Sequence, residues 1–252
     1  WGIYWGPLAS GTRADGKTPF YSPDISEVDE EILAHWITRS ENSQHPVVRA
    51  RYADLAWEIG RYLRRPAKDR PECPTPPILL DIPFSLAQTA IDGYLDAVKR
   101  GLAEDEYHSW AFLDRAIALA LSLRDAVRTQ RGKTALFDHY RSLASGTSKI
   151  MWWRLNDLLE DREKALGLDE REQKCLVESL EAALARSSDI NDKDRFDPHQ
   201  AMNAADRLIR RLGNNQKEIQ RVTKRAAEAF ERIAEKASGL LAVSWLEDLI
   251  PR

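Results

Sequence analysis

The sequence predicts an all-α fold: a layered array of antiparallel helical hairpins, similar to TPR or HEAT repeats, behind an irregular N-terminal segment. Apolar residues recur at helical spacing along most of the chain, and no segment shows the strict alternation of an amphipathic strand. The most apolar stretch, Ser85 to Gln130, is interpreted as two consecutive helices. The second is apolar around most of its circumference, which is typical of a helix surrounded by other helices.

The first third of the chain begins with residues 1–24, in which aromatic residues stand among glycines and prolines. This composition predicts an irregular segment held by aromatic burial. A first helix is expected to follow Asp24 or Ser26 as N-cap and to end near Thr38. A second helix, residues 45–63, carries an apolar stripe of Val48, Tyr52, Leu55, Ala56, Ile59 and Leu63. Trp57 lies opposite that stripe and predicts a second contact face.

Residues 64–83 contain six prolines and are predicted to be a long connection. The first helix of the central hairpin, residues 85–102, follows. It repeats the earlier stripe thirty-nine residues further along the chain, on Ala87, Ile91, Tyr94, Leu95, Val98 and Leu102. This offset lies in the range of helical-repeat units, so it suggests repetition. After a break at 104–106, a single helix is expected over residues 108–130.

The second half of the chain is predicted to hold further helices over 134–144, 148–164, 170–186, 198–212, 216–237 and 240–250. Asp169 with Glu172 reads as a capping box, Asp197-Pro198 as a helix entrance and Gly213 as a helix end. Residues 25–252 are therefore interpreted as a single all-helical domain. A division into two sub-bundles that meet near 187–197 is left open.

Composition excludes several classes of protein. Apolar residues at 43% and charged residues at 31% are typical of a globular chain, and a net charge of −3 implies no whole-molecule attraction to nucleic acid or to an anionic membrane. Cys73 and Cys175 are far apart and fit a reducing, cytoplasmic setting. No apolar run reaches the roughly 20 residues of a membrane span, so no membrane partner is expected. Because the first residue is Trp1, we interpret the chain as processed or as a fragment.

The stretch from Gly11 to Thr18 matches the P-loop expression letter by letter. A nucleotide site, with Lys17 on the phosphates, would require a strand before the motif and a helix after it. Pro19 and Pro23 oppose that helix, so a glycine-containing turn is the favoured interpretation.

No metal site, cofactor or catalytic group is predicted. The acidic loop at 189–197 lacks the glycine and the bidentate Glu of a calcium loop, and the five histidines are scattered singly. Arg39 and His45 stand six residues apart, as in pairs that some helical ribonucleases use. That spacing is common by chance, and His45-Pro46 reads equally well as a helix entrance.

A basic cluster between residues 207 and 225 is the candidate anion or nucleic-acid site. Its members are Arg207, Arg210, Arg211, Lys217, Arg221, Lys224 and Arg225. Four of them share one face of the predicted helix 216–237, which is compatible with a row of phosphates. Aromatic residues for base stacking are absent, and downstream glutamates offer ion pairs, so a solvated helix face is the favoured interpretation.

Three segments, HPVVRARYADLAWEIG, AIDGYLDAVKRG and SWAFLDRAIALALSL, resemble the N-terminal helical region of large bacterial proteins that carry a C-terminal domain of unknown function 4209. The leading WGPLASGTRADGKTPF is similar to that family's entry segment. The resemblance implies a helical module at the front of a longer bacterial polypeptide and no catalytic residue.

The function expected from the sequence is that of a non-enzymatic scaffold. It would bind a partner protein or a C-terminal domain of its own polypeptide. The alternative is a nucleic-acid-binding or ribonuclease-type domain that uses the basic cluster, and an NTPase through Lys17 is a third hypothesis.

Overall fold

The structure is a computed structural model, and it describes residues 11–12, 19–20, 28–70, 76–102, 106–145, 152–160, 162–187, 198–213 and 215–236. Within these residues the protein is all-α, as predicted, and its helices pack in layers. The helices are α1 (Glu30–Asn42), α2 (Pro46–Leu63), α3 (Ser85–Arg100), α4 (Glu106–Ser122), α5 (Ala126–Ser145), α6 (Trp152–Glu160), α7 (Glu163–Leu166), α8 (Glu170–Ser187), α9 (Pro198–Leu212) and α10 (Gln216–Lys236). A repeat arrangement of the TPR or HEAT kind stays a prediction.

The segment predicted to be irregular contains one short antiparallel pair, β1 (Gly11–Thr12) with β2 (Pro19–Phe20). Of the helices that the structure describes, none combines the length and the apolarity needed to cross a bilayer. The predicted helix at 240–250 lies outside the described residues.

The chain divides into two compact units, Trp1–Ala135 and Leu136–Arg252. This division does not fall near 187–197, where the sequence placed a candidate boundary. The helices on either side of that stretch, α8 and α9, belong to one unit and pack against each other.

In the first unit, α2 packs against both α1 and α3, and α3 packs against α4. Gly93 of α3 lies so close to α2 that an added Cβ would come within 2.8 Å of the Pro46 carbonyl oxygen. At the other ends of the two helices, Phe84 contacts Trp57. Helices α2 and α3 therefore run antiparallel, as expected for a hairpin. The predicted second face of α2 is confirmed, because Trp57 is buried as well as the stripe residue Leu55.

In the second unit, α6, α8 and α9 pack together, and α10 packs on α9. Their shared core consists of leucines at 155, 158, 159, 176, 180, 184 and 208. The part of α5 that belongs to this unit is held by α8, because the Ser179 hydroxyl donates to the Tyr140 carbonyl oxygen at 2.7 Å. The Arg186 guanidinium donates to the Ala144 carbonyl oxygen at 3.1 Å.

The first helix begins later than predicted. It follows Asp29, not Asp24 or Ser26, because the Asp29 carboxylate accepts a hydrogen bond of 3.0 Å from the backbone N–H of Ile32. The helix then runs to Asn42, past the predicted end at Thr38.

The prediction of one helix over 108–130 is wrong. Arg124 has a positive φ of 54°, which ends α4, and the Asp125 carboxylate caps α5 by accepting the Arg128 N–H at 3.0 Å. Helix α5 then continues through 131–133, so the separate helix predicted over 134–144 is its second half.

The prediction of one helix over 148–164 is also wrong, because two helices, α6 and α7, lie in this region. Arg162, between them, has a non-helical backbone conformation (φ −127°, ψ 1°). Other terminal signals are confirmed. Asp169 and Glu172 exchange hydrogen bonds of 2.9 and 2.8 Å, and Gly213 has a φ of 57°.

Candidate functional site

The seven residues of the basic cluster lie on two helices of the second unit, three on α9 and four on α10. Five of them lie within ion-pairing distance of a carboxylate. The pairs are Arg207 with Asp157 (2.7 Å) and Glu160 (3.4 Å), Arg210 with Asp206 (2.7 Å), Arg211 with Glu163, Arg221 with Glu218 (2.7 Å) and Glu181, and Lys224 with Glu228 (3.8 Å). Most of the positive charge is therefore offset locally. A nucleic-acid site on this cluster stays a prediction.

Two members of the cluster differ from the others. Lys217 and Arg225 are exposed, and no carboxylate within the described ranges lies within ion-pairing distance of either. By contrast, the hydrogen bond from Arg211 is strong enough to lower the pKa of Glu163, although burial of that carboxyl opposes the effect. Within the basic cluster, the two cations that have no described carboxylate partner are thus both on α10.

Arg39 and His45, the pair considered for ribonuclease chemistry, have separate surroundings. The Arg39 guanidinium lies over the Tyr52 ring, 5.7 Å from its centroid. His45 is exposed at the N-cap of α2 and makes no side-chain capping hydrogen bond. His35 also contacts Tyr52 edge-on, and burial, aided by the charge of Arg39, lowers its pKa. These contacts supply no hydrogen bond between the two predicted partners, so ribonuclease activity stays a prediction.

The residues that follow the P-loop match are extended. Pro19 and Phe20, where a nucleotide-binding helix would be running, pair with Thr12 and Gly11. The favoured interpretation of a turn agrees with this pairing, whereas Lys17 itself and the acidic loop at 189–197 lie outside the described residues. Among the side chains that the structure does describe, no group of three His, Cys, Asp or Glu residues could hold a metal ion.

A buried polar cluster in the first unit was not singled out by the sequence. Asp54 of α2 has no solvent exposure, and its carboxylate accepts hydrogen bonds from the Tyr94 hydroxyl at 2.8 Å and from the Arg115 guanidinium at 2.7 and 3.0 Å. Arg115 also lies 3.1 Å from a carboxylate oxygen of Glu58. The cluster connects α2, α3 and α4.

The electrostatics of this cluster indicate a structural role. Burial, followed by the charge of Asp54, raises the pKa of Tyr94 well above its usual range. Burial alone would lower the pKa of Arg115, but the hydrogen bond and charge of Asp54, with a contribution from Glu58, raise it overall. Asp54 therefore stands opposite a guanidinium that keeps its charge. A carboxylate engaged in this way, with no access to solvent, cannot reach a substrate proton.

A second ion-pair network connects α3 with the start of α5. Arg128 donates to both carboxylate oxygens of Asp92, at 2.6 and 3.1 Å, and to Asp125 at 3.0 Å. The backbone N–H and side chain of Arg128 lower the pKa of Asp125. The network fixes the start of α5 and, like the buried cluster, leaves its charges engaged within the protein.

The remaining feature is the segment 76–84, which we call the connector. It lies along the C-terminal half of α2 in the opposite direction. Ile78 donates its backbone N–H to the Leu63 carbonyl oxygen at 3.2 Å, Asp81 pairs with Arg64 at 3.2 Å, and the Phe84 ring meets the Trp57 ring edge-on. Ile82 is buried beside Gly60, where an added Cβ would approach it to 2.6 Å.

The connector exposes apolar side chains from a fixed backbone. The backbone N–H groups of Leu79 and Leu80 donate to the Glu30 carboxylate at 2.6 and 3.2 Å, yet the Leu79 side chain is 88% exposed. Phe84 is 47% exposed. The Arg61 guanidinium lies 4.7 Å above the Trp57 ring, which the Phe84 ring also contacts. We call Arg61, Arg64, Leu79 and Phe84 the connector face. It was missed because the proline-rich sequence was interpreted only as a linker.

The chain was compared with protein-family models, with curated proteins and with solved structures, and none of them matches it.

Proposed function

We propose that this chain is a non-enzymatic α-helical interaction module that binds a partner protein, either a separate chain or another domain of its own polypeptide. The resemblance to bacterial proteins with the domain of unknown function 4209 is part of this proposal and implies the front of a longer bacterial chain. The single observation that carries the proposal is the exposure of Leu79 on a connector whose backbone is fixed by hydrogen bonds.

Burial of a large apolar side chain contributes about 1.5–3 kcal/mol, so a partner that covers Leu79 on its fixed backbone would be stabilised by that contact. The chemistry of the described residues agrees with binding rather than catalysis. The carboxylates of Asp54 and Asp92, for example, each accept hydrogen bonds from an arginine within the fold.

The test is affinity capture with the whole chain as bait from a bacterial lysate treated with nuclease, followed by mass spectrometry. Retention of one protein at constant stoichiometry in low salt supports the module. A bait that retains nucleic acid before nuclease treatment, and no protein after it, contradicts the proposal and favours the alternative function.

The alternative, nucleic-acid binding on α10, is favoured by Lys217 and Arg225, whose charges have no carboxylate partner among the described side chains. It predicts that single-stranded RNA binds in low salt and that Lys217→Glu combined with Arg225→Glu abolishes the binding. Arg210→Glu is the matched control, because Arg210 already pairs with Asp206. The same affinity for RNA in the double variant and in the wild type would exclude this use of α10.

A further inference from the structure

The connector face brings apolar and basic groups together in a strip along the C-terminal end of α2. The Phe84 and Trp57 rings meet edge-on, the Arg61 guanidinium lies over the Trp57 ring, and Arg64 pairs with Asp81 of the connector. Since these contacts follow α2 from Trp57 to Arg64, the exposed parts of Phe84, Arg61 and Arg64 lie on the same side of the hairpin. Leu79 stands in the connector two residues before Asp81.

This strip is preorganised for binding. The Leu79 backbone is fixed by Glu30, so covering its side chain costs little chain entropy. The Arg61 guanidinium lies against the Trp57 ring and that of Arg65 lies 5.8 Å above the Tyr62 ring. Stacked guanidiniums keep their N–H donors at the edge, where they can meet a carboxylate in a bidentate arrangement.

The charge of the strip is positive. Residues 61–69 and 76–84 contain four basic side chains, Arg61, Arg64, Arg65 and Lys68. The carboxylates at the same place are three, Asp69, Asp81 and that of Glu30, which accepts the Leu79 N–H, so the balance is one positive charge. Of the basic residues, Arg64 pairs with Asp81, whereas no described carboxylate lies within ion-pairing distance of Arg61, Arg65 or Lys68. An acidic partner would therefore be complementary in charge.

We propose that the connector face docks an acidic, amphipathic segment of a partner protein, which places an apolar side chain against Leu79 and Phe84 and a carboxylate beside Arg61. This inference rests on the proposed function and names the chemistry of its partner. Aromatic and arginine side chains are the residue types that contribute most to binding energy at protein interfaces, and the connector face contains Phe84 and two arginines as well as Leu79.

A protein segment is favoured over an anionic membrane by the carboxylates at the same place. The Asp81 side chain is 87% exposed two residues from Leu79, and the Glu30 carboxylate holds the Leu79 N–H. Insertion of Leu79 into a bilayer would bring both carboxylates to negatively charged headgroups, which is unfavourable. A peptide can instead direct its own carboxylates to the arginines.

The test measures the fluorescence anisotropy of a labelled synthetic peptide in which leucine or phenylalanine recurs every third or fourth position among glutamates. The whole chain is the binding protein, and the same peptide with glutamine in place of glutamate is the charge control. We expect binding in low salt that weakens as salt is added, and no binding of the glutamine peptide. Leu79→Asp and Arg61→Glu should each weaken the affinity by about tenfold.

Two matched variants control for general effects of the substitutions. Leu102→Asp changes another exposed leucine at the opposite end of α3, and Arg100→Glu reverses an exposed arginine that pairs with Asp96. Both should bind the peptide within about twofold of the wild type. Circular dichroism of all four variants verifies that they are folded.

Failure to bind the acidic peptide, or an equal loss of affinity in the control variants, overturns the inference. Binding to vesicles that contain phosphatidylserine, with loss in Leu79→Asp and no peptide binding, overturns it in favour of a membrane surface. A protein captured equally by Leu79→Asp and by wild type overturns this site but leaves the proposed function intact. A wild-type bait that retains no protein contradicts the proposed function itself.

Discussion

The Tyr94 hydroxyl donates a 2.8 Å hydrogen bond to the carboxylate of Asp54, forty residues earlier in the chain and completely buried. Two N–H groups of Arg115, on a third helix, donate hydrogen bonds to the same carboxylate. One acidic side chain therefore connects α2, α3 and α4.

Replacement of Asp54 by alanine is expected to lower the free energy of unfolding by about 3 kcal/mol or more. The variant leaves the Arg115 guanidinium and the Tyr94 hydroxyl largely buried without their main acceptor, and a buried ion pair that loses one member is strongly destabilised. Urea denaturation followed by far-UV circular dichroism measures the change. Asp96→Ala is the control, because Asp96 forms an exposed pair with Arg100 within α3. An equal, small loss in both variants would show that the cluster is not important for stability.

Two tyrosines offer a matched pair of predictions. Both are buried, and burial raises the pKa of each well above the usual range, but the Tyr94 hydroxyl has Asp54 as partner whereas the Tyr140 hydroxyl has no hydrogen-bond partner among the described residues. Tyr94→Phe should lose about 2 kcal/mol, the value of a hydrogen bond to a charged group.

Tyr140→Phe should leave the free energy of unfolding unchanged within about 0.5 kcal/mol or raise it, because it removes an unsatisfied buried hydroxyl without a change of shape. Chemical denaturation of the two variants side by side measures the difference. A loss at Tyr140 as large as that at Tyr94 would mean that the Tyr140 hydroxyl has an acceptor outside the described residues.

The sequence predicted the fold class because apolar spacing is a local property. Tyr94 was placed on the buried face of its helix, and it is buried. Its partner Asp54 was not identified, although an acidic residue between Ala53 and Leu55 in an apolar run is a signal that could have been followed. The buried charge of Asp54 is compensated by the guanidinium of Arg115. The two residues are far apart in the chain, so no local sequence pattern indicates that they pair.

The candidate sites were less predictable for the same reason. Charge spacing alone placed Arg207 and Arg221 in a basic cluster, but their carboxylate partners Asp157 and Glu181 lie on α6 and α8. The six prolines of residues 64–83 correctly predicted a connection. They could not predict that Glu30 binds its backbone or that Leu79 is exposed to solvent. The spacing of apolar residues predicts which side of a single helix is buried. The ion pairs of the basic cluster and the exposure of Leu79 depend instead on which helices and loops pack against each other.

The break before α5 leads to a third prediction. Asp125 accepts the Arg128 backbone N–H at 3.0 Å, so Asp125→Ala should cost about 1 kcal/mol, the usual value of a lost N-cap. Asp125→Asn keeps a capping oxygen and should cost only a few tenths of a kcal/mol near neutral pH. Thermal denaturation of both variants is the measurement. An equal loss in the two variants would assign the effect to the charge that faces Arg128 instead of the cap.

The fourth prediction concerns pH. Burial lowers the pKa of His139, and the nearby charge of Asp138 only partly opposes this effect. The His139 imidazole therefore binds a proton less tightly in the folded protein than in the unfolded chain. As the pH falls, the unfolded state takes up this proton first. The stability due to the neutral imidazole is fully present above the unfolded pKa of about 6.5 and is lost as the pH falls through the folded pKa.

His139→Gln removes this titration. Urea midpoints at about pH 7.5 and about pH 5.5 should therefore fall less in the variant than in the wild type, since most carboxylates titrate below this window. Burial also lowers the pKa of His35. Part of the decrease in urea midpoint between the two pH values should therefore remain in the His139 variant. His35→Gln combined with His139→Gln should reduce the fall further. An unchanged fall in the double variant would show that neither imidazole contributes to the acid sensitivity of the fold.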